Sequence, residues 1–128
     1  MLARTILDNP MLARNKTVLD LGSGCGAVTL AAVLSGAKKV IANDIDVNAV
    51  MALTVNSELN KMLVGDNIIF SSENLLKQKE VQLLDEVDLL LIGDMFYDQD
   101  IGESVLEFCS KFKSLDNSKQ VFLGDPGR

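Results

Sequence analysis

The chain has 128 residues, of which 48% are hydrophobic and 23% are charged, and its formal net charge is −6. This length and balance fit one folded domain, and the lack of a basic run argues against a nucleic acid partner. Histidine is absent, which excludes Ser-His and Cys-His nucleophile pairs and most zinc sites.

Targeting, membrane and metal signals are also lacking. No apolar stretch reaches the roughly 20 residues that cross a bilayer, so no membrane partner is expected. The first ten residues carry Arg4 and Asp8 within their apolar pattern, which is unlike a signal peptide. Cys25 and Cys109 fit no metal-ligand spacing, so no metal site is expected.

Short apolar runs alternate with helical patterns along the chain. A helical segment over 2–14, interrupted by Asp8-Asn9-Pro10, comes first. Strands are predicted at 17–21, 39–43, 67–71, 87–92 and 120–123. Helices are predicted over 27–34, 47 to about 63 and 101–112, and a short helix over 76–86. Gly36 is the expected stop of the first of these helices.

The alternation of strands and helices predicts parallel βαβ units. The expected fold is a Rossmann-like, doubly wound α/β domain whose mainly parallel sheet is covered by helices on both faces. The apolar runs of the first and fourth strands predict central positions, and the last strand is expected at an exposed edge. Helical spacing predicts one buried face for 47–63, formed by Val50, Leu53, Leu59 and Leu63, and one for 101–112, formed by Val105, Phe108 and Phe112.

A glycine loop follows the first predicted strand and opens the next helix. It reads Gly22-Ser23-Gly24-Cys25-Gly26. Glycines permit positive φ and close approach of a ligand, and a helix N-terminus suits a carboxylate or a phosphate. The spacing Gly22-x-Gly24-x-x-Ala27, with Asp44 about 20 residues further on, also satisfies a loose dinucleotide fingerprint, so NAD stays an alternative at this point.

Asp20, two residues before the loop, favours a different ligand. A carboxylate there would repel a pyrophosphate and attract a cation such as an α-ammonium. S-adenosylmethionine carries an ammonium, a sulfonium and a carboxylate but no phosphate, and Gly26 completes a D-x-G-x-G-x-G loop. S-adenosylmethionine is therefore the predicted cofactor. The cofactor-binding residues expected in this segment are Asp20, Gly22, Ser23, Gly24 and Gly26.

The ends of the next two strands supply candidate ribose and adenine contacts. Asp44 directly follows the second strand and is placed to accept both ribose hydroxyls, with Ile45 beside it as a further cofactor contact. Asp46 is expected to cap the following helix. Asn74 offers the donor and acceptor that an adenine edge requires. The alternatives are a solvated loop acid for Asp44 and a turn-forming role for Asn74.

The fourth strand ends in Gly93-Asp94-Met95-Phe96-Tyr97-Asp98. Ligands of doubly wound sheets bind in the crevice at the carboxyl ends of the strands, so Asp94 and Tyr97 are the candidate catalytic residues, and Asp94 is also a candidate cofactor contact. The alternative is that Phe96 and Tyr97 pack under the following helix.

These motifs carry a resemblance to a known family. Asp94-x-x-Tyr97 resembles the D-x-x-Y motif of the class I, or seven-β-strand, protein methyltransferases often grouped as family 16. From about Leu7 to Arg128, the chain resembles the lysine methyltransferases of the electron transfer flavoprotein β subunit. The segments that carry this resemblance are 19–27, 42–46, 93–98 and 124–128.

The resemblance implies S-adenosylmethionine-dependent protein-lysine N-methylation. It implies the electron transfer flavoprotein β subunit as substrate, and the mitochondrial matrix as location, or the cytoplasm for a bacterial chain. Asp94 and Tyr97 would lie where the donor and the lysine meet. Family members continue past 124–128 with two further strands, so residues 1–128 are expected to be one domain truncated at its C-terminus. Open alternatives are a non-catalytic donor-binding fragment and a methyltransferase of a ribosomal or other protein.

Overall fold

The structure is a computed structural model that describes residues 2–62, 67–95 and 98–124. Within these ranges, five parallel strands form one sheet in the order β3-β2-β1-β4-β5. The strands are β1 (Thr17–Leu21), β2 (Lys39–Asn43), β3 (Ile68–Ser71), β4 (Leu89–Ile92) and β5 (Gln120–Leu123). The α-helices are α1 (Leu2–Asp8), α2 (Ala27–Leu34), α3 (Val47–Leu59) and α4 (Gln99–Leu115).

The predicted doubly wound parallel sheet is confirmed. β1 pairs with β2 on one side and with β4 on the other, so that Leu19 lies between Ile41 and Leu90. Every residue of β1 and of β4 is buried, as expected for central strands covered on both faces. β5 lies at the sheet edge beside β4.

Three hydrophobic clusters cover the two faces of the sheet. Successive residues of a strand point to opposite faces, and Val18 and Leu19 accordingly belong to different clusters. The cluster of Leu19 includes the predicted α4 face, where Val105, Phe108 and Phe112 are buried. The cluster of Val18 includes residues of α1 and α2. No helix in the described ranges combines the length and the apolar character that crossing a bilayer requires.

Several element bounds differ from those expected. α3 ends at Leu59 rather than near Leu63, because Lys61 adopts a positive φ of 57° that turns the chain away from the helix axis. Leu59 is 75% exposed while Leu53 is buried, so the predicted single face of α3 is wrong for Leu59; Leu63 lies outside the described residues. The short helix predicted over 76–86 is instead two 3₁₀ turns, Leu75–Lys77 and Gln82–Asp85.

α4 begins at Gln99, two residues earlier than expected, because the Asp98 side chain accepts a hydrogen bond from the Asp100 N–H at 2.8 Å and caps the helix. α2 ends at Leu34, and Gly36 follows with a φ of 90°, the helix stop that the sequence predicts. The predicted break in the first helical segment is also present, since α1 ends at Asp8 before a 3₁₀ turn.

Lys119 is buried at the start of β5, which the sequence did not indicate. Its ammonium donates to three backbone carbonyls, those of Leu84 at 3.0 Å, Asp85 at 3.1 Å and Val87 at 2.6 Å. It also lies 5.4 Å from the centre of the Phe112 ring. Lys119 thus ties the segment before β4 to α4 and β5, and it satisfies carbonyls that would otherwise be buried without partners.

Candidate functional site

A cavity of about 480 Å³ opens at the carboxyl ends of β1, β2 and β4. Five of the predicted site residues line it, although they come from four separate segments of the chain. They are Gly22, Asp44, Ile45, Asn74 and Asp94. The topology brings them together because the strand ends of a parallel sheet meet at one edge.

The first glycine of the loop has a positive φ and lies too close to the Met95 side chain to carry a β-carbon. Gly22 has a φ of 73°, and a β-carbon there would lie 2.6 Å from the sulfur of Met95. The Gly22 and Ser23 N–H groups both donate to the Asn43 carbonyl, at 2.8 and 2.9 Å. Glycine is therefore required at position 22 for its backbone conformation and for the approach of Met95, which also lines the cavity.

The other loop residues do not line this cavity. Gly26 has a φ of 87° and precedes α2, and a β-carbon there would overlap the Leu53 side chain of α3. The Gly24 N–H donates to Asp44 Oδ2 at 2.8 Å. The Ser23 hydroxyl is buried and has no hydrogen-bond partner among the described residues. The structure therefore places Gly26 in helix packing and Gly24 against the acid at the end of β2.

Asp20 lies near the carboxyl end of β1 but is only 1% exposed and does not line the cavity. Its Oδ2 accepts a 2.6 Å hydrogen bond from the Thr29 hydroxyl. Burial raises the pKa of Asp20 to about 6, against the lowering effect of the Thr29 bond, and the charge of Asp44 adds a smaller increase. Any effect of Asp20 on a ligand in this cavity is therefore electrostatic rather than by contact.

Asp44 connects the end of β2 to its neighbours through both carboxylate oxygens. Oδ2 accepts from the Gly24 N–H at 2.8 Å, and Oδ1 accepts from the Asp46 N–H at 3.0 Å. Asp46 in turn accepts from the Asn48 N–H at 2.9 Å and caps α3, as predicted. The half-buried Asp44 carboxylate is thus held at the cavity wall in one orientation.

Asp94 is exposed at the rim of the cavity, one residue from Met95. Tyr97, the second candidate catalytic residue, lies outside the described residues, as do Phe96 and residues 125–128 of the family-like C-terminal segment. The structure therefore describes only the first half of the D-x-x-Y motif.

Asn43 is a site residue that sequence reasoning missed. It is 3% exposed and lines the cavity at the end of β2. Its side-chain amide donates to the Ser71 carbonyl, the Ser71 hydroxyl and the Glu73 carbonyl. The signal available in the sequence is a polar residue that ends an otherwise apolar strand.

A second cavity of about 410 Å³ lies between α4 and residues 76–85, which include parts of both 3₁₀ turns. None of the predicted site residues lines this cavity. Across the described ranges, no group of three or more acidic or cysteine side chains is arranged to hold a metal ion. The first cavity is therefore the candidate functional site.

Comparison with known proteins identifies the family to which the chain is similar. The sequence model of the family described as ribosomal protein L11 methyltransferase (PrmA) matches residues 2–88. The human electron transfer flavoprotein beta subunit lysine methyltransferase is 45% identical over 127 residues, which are 99% of this chain and 45% of that protein. The chain thus spans less than half the length of that relative, and the resemblance seen in the sequence is confirmed.

Solved structures share the fold. The ribosomal protein L11 methylase of Lactobacillus delbrueckii subsp. bulgaricus is 27% identical with a TM-score of 0.70, over 95% of this chain and 56% of that one. A Trypanosoma brucei PRMT1 enzyme-prozyme complex with AdoHcy is 23% identical with a TM-score of 0.69, over 94% of this chain and 37% of that one. The chain has the class I methyltransferase fold and belongs to the ribosomal protein L11 methyltransferase (PrmA) family.

Proposed function

We propose that this chain is the donor-binding part of an S-adenosylmethionine-dependent protein-lysine N-methyltransferase that acts on the electron transfer flavoprotein β subunit. The observation that carries the proposal is the convergence of Gly22, Asp44, Asn74 and Asp94 on one cavity. The choice of substrate rests on the human relative of that name. The same resemblance implies the mitochondrial matrix for an animal protein and the cytoplasm for a bacterial one.

The charge of the cavity supports a cationic ligand. Its charged lining residues are three acids and one base: Asp44, Asp94, Asp100 and Lys77. Such a wall attracts an ammonium or a sulfonium and repels a pyrophosphate, which favours S-adenosylmethionine over NAD. Asp20 does not line the cavity, so its predicted attraction for a cation would act at a distance.

The shape and polarity of the cavity also fit the donor. Its volume of about 480 Å³ lies within the roughly 300–1,000 Å³ of small-molecule sites. The Asp44 carboxylate suits ribose hydroxyls, and Asn74 offers a donor and an acceptor to an adenine edge. Leu75 and Leu76 provide apolar surface beside Asn74 for a ring.

When bound, S-adenosylmethionine would supply a methyl group on a sulfonium: an uncharged lysine amine would form the N–C bond in line as the C–S bond breaks and S-adenosylhomocysteine leaves. Asp94 at the cavity rim accepts hydrogen bonds from the arriving lysine nitrogen and orients it. Tyr97 is proposed to hold the same nitrogen and to narrow the entrance. Asp94 does not need to be a strong base, because the lysine can lose its proton to water beforehand, so positioning supplies most of the rate enhancement.

Ligand titration tests the cofactor. Isothermal titration calorimetry of the chain with S-adenosylmethionine, S-adenosylhomocysteine and NAD should give affinities for the first two at least tenfold above that for NAD. Tighter binding of NAD would show instead that the glycine loop serves a dinucleotide.

A transfer assay tests the substrate. The chain is incubated with radiolabelled methyl donor and either recombinant electron transfer flavoprotein β subunit or ribosomal protein L11. We expect label on lysines of the flavoprotein subunit, and a loss of about 100-fold or more in Asp94→Asn, because a lysine nitrogen that is no longer oriented loses about this much in rate. Asp98→Asn is the matched control, because Asn caps a helix as well as Asp does.

The remaining outcomes distinguish the alternatives. Label on ribosomal protein L11 would favour the second candidate function, which is the one that names the family matched over residues 2–88. Donor binding without label on either protein would favour a non-catalytic donor-binding module or a methyltransferase of another protein. Unchanged transfer by Asp94→Asn would remove Asp94 from the mechanism.

A further inference from the structure

Asn43 lies between the two loops that form the candidate donor site. Its backbone carbonyl accepts from the Gly22 N–H at 2.8 Å and from the Ser23 N–H at 2.9 Å. Its side-chain Nδ2 donates to the Ser71 carbonyl and hydroxyl, each at 3.2 Å, and to the Glu73 carbonyl at 2.9 Å. One residue therefore binds the glycine loop with its backbone and the loop after β3 with its side chain.

The side-chain hydrogen bonds of Asn43 lie at and just beyond the end of the β2–β3 pairing. The pairing of β2 with β3 runs from Val40↔Ile68 to Asn43↔Ser71, and the Asp44 N–H then donates to the Ser71 carbonyl at 3.0 Å. Beyond Ser71 the chain leaves the sheet, and the Asn43 amide reaches across to the Glu73 carbonyl, next to Asn74. Asn43 thereby fixes the part of the loop that precedes the proposed adenine contact.

We propose that Asn43 is a positioning residue that sets the separation of the glycine loop and residues 71–74, so that one ligand contacts both loops at once. The inference rests on the proposed function, in which the amino-acid end of the donor lies at the glycine loop and its adenosine at Asp44 and Asn74. A site already held in the bound geometry loses less conformational freedom on binding. The resulting gain in binding affinity applies only to a ligand that contacts both loops.

The chemistry of the contact requires an amide. Asn43 is 3% exposed, and its NH₂ group faces three oxygen atoms. An aspartate of the same shape would place a carboxylate oxygen against the Ser71 and Glu73 carbonyls, and only the Ser71 hydroxyl could still bond it, by donating. Asn43→Asp therefore removes the bonds to the Ser71 and Glu73 carbonyls and leaves the backbone bonds to the glycine loop in place.

The binding test compares a spanning ligand with a fragment. S-adenosylhomocysteine contacts both loops in the proposed pose, whereas adenosine contacts only the loop on the adenine side. In calorimetry, Asn43→Asp should lower the affinity for S-adenosylhomocysteine at least tenfold and that for adenosine less than threefold. Asn60→Asp is the matched control, because Asn60 is exposed at the end of α3 and its side-chain amide donates to the nearby Asn56 carbonyl rather than to a distant loop. Equal losses for both ligands, or none, would overturn the proposal.

Hydrogen exchange tests the same residue without a ligand. Asn43→Asp should speed amide exchange at 72–75 at least tenfold relative to Asn60→Asp and leave the β2 amides at 40–42 unchanged. Equal exchange at 72–75 in the two variants would refute the positioning role. If the unmodified chain binds neither ligand, the proposed function fails, while this measurement still decides the role of Asn43.

Ser71→Ala is the milder variant if Asn43→Asp does not fold. It removes one of the three acceptors and keeps the two carbonyls, so S-adenosylhomocysteine affinity should fall two- to threefold with adenosine affinity unchanged. An unchanged affinity for both ligands in Ser71→Ala, in a folded protein, would contradict the proposal.

Discussion

The Thr29 hydroxyl donates a 2.6 Å hydrogen bond to Oδ2 of Asp20 and joins the first turn of α2 to the carboxyl end of β1. Thr29 is fully buried and Asp20 is 1% exposed. The bond stabilises the carboxylate but does not outweigh its desolvation, so the pKa of Asp20 is raised from 3.8 to about 6. The folded chain therefore holds a proton on Asp20 at pH values where the unfolded chain has lost it.

The stability of the fold should depend on this proton. Because the folded pKa is raised, the folded state binds more protons than the unfolded state between about pH 4 and 6, and the contribution of Asp20 to stability falls as the pH rises through this window. The loss is about 2–3 kcal/mol between pH 4 and pH 7. Urea denaturation at both pH values, compared with Asp20→Asn, isolates the effect. A pH dependence unchanged by this substitution would show that Asp20 titrates normally.

Two glycines of the loop should respond differently to alanine. Gly26→Ala forces a β-carbon into the Leu53 side chain at a φ of 87° and should cost about 3 kcal/mol or more. Gly24→Ala has positive φ but open space around the β-carbon, so backbone strain alone should cost about 1–2 kcal/mol. Equilibrium denaturation of both variants gives the difference. A cost for Gly26→Ala no larger than that for Gly24→Ala would mean that Leu53 moves away freely.

Removal of the Lys119 ammonium should destabilise the sheet edge. Lys119→Met keeps most of the side-chain volume but leaves the carbonyls of Leu84, Asp85 and Val87 without their donor. We expect a loss of about 2–4 kcal/mol in the free energy of unfolding, since buried acceptors lose their partners. Lys38→Met, at an exposed position, should change stability by about 0.5 kcal/mol or less. Similar stabilities of the two variants would be the contrary result.

Asp44→Asn and Asp46→Asn are a matched pair of variants that tests the role of Asp44 in donor binding. Asp44→Asn replaces an oxygen that accepts a backbone N–H from Gly24 or Asp46 and weakens the proposed ribose contact. We expect S-adenosylhomocysteine affinity to fall by about tenfold or more, the loss of roughly one charged hydrogen bond. Asp46→Asn should preserve both the α3 cap and the affinity. Calorimetry on the two variants checks this, and equal affinities would count against Asp44 as a ligand contact.

The sequence predicted those features that depend on local pattern. Apolar runs located the strands, and the fully buried β1 and β4 took the central positions that their composition indicates. The helical spacing of Val105, Phe108 and Phe112 identified the buried face of α4. Asp46 was recognised as a cap because its hydrogen bond spans only two residues.

The buried polar contacts that the sequence did not predict join distant segments of the chain. The Asn43 amide reaches residues 28 and 30 positions away, and Lys119 reaches carbonyls 32 to 35 positions away. A polar residue gives no local indication that it will be buried beside such partners. The burial of Asp20 was missed for the same reason, since β1 is covered on both faces only after the whole sheet has formed.

The three hydrogen bonds of Lys119 also have a consequence for amine chemistry. An ammonium has three N–H donors, and at Lys119 each has a backbone carbonyl within 3.1 Å. Acylating reagents that label exposed lysines should therefore spare Lys119 until the chain unfolds, as peptide mapping by mass spectrometry would show. In a protein proposed to methylate lysines, the amine of Lys119 is therefore itself inaccessible to modification in the folded state.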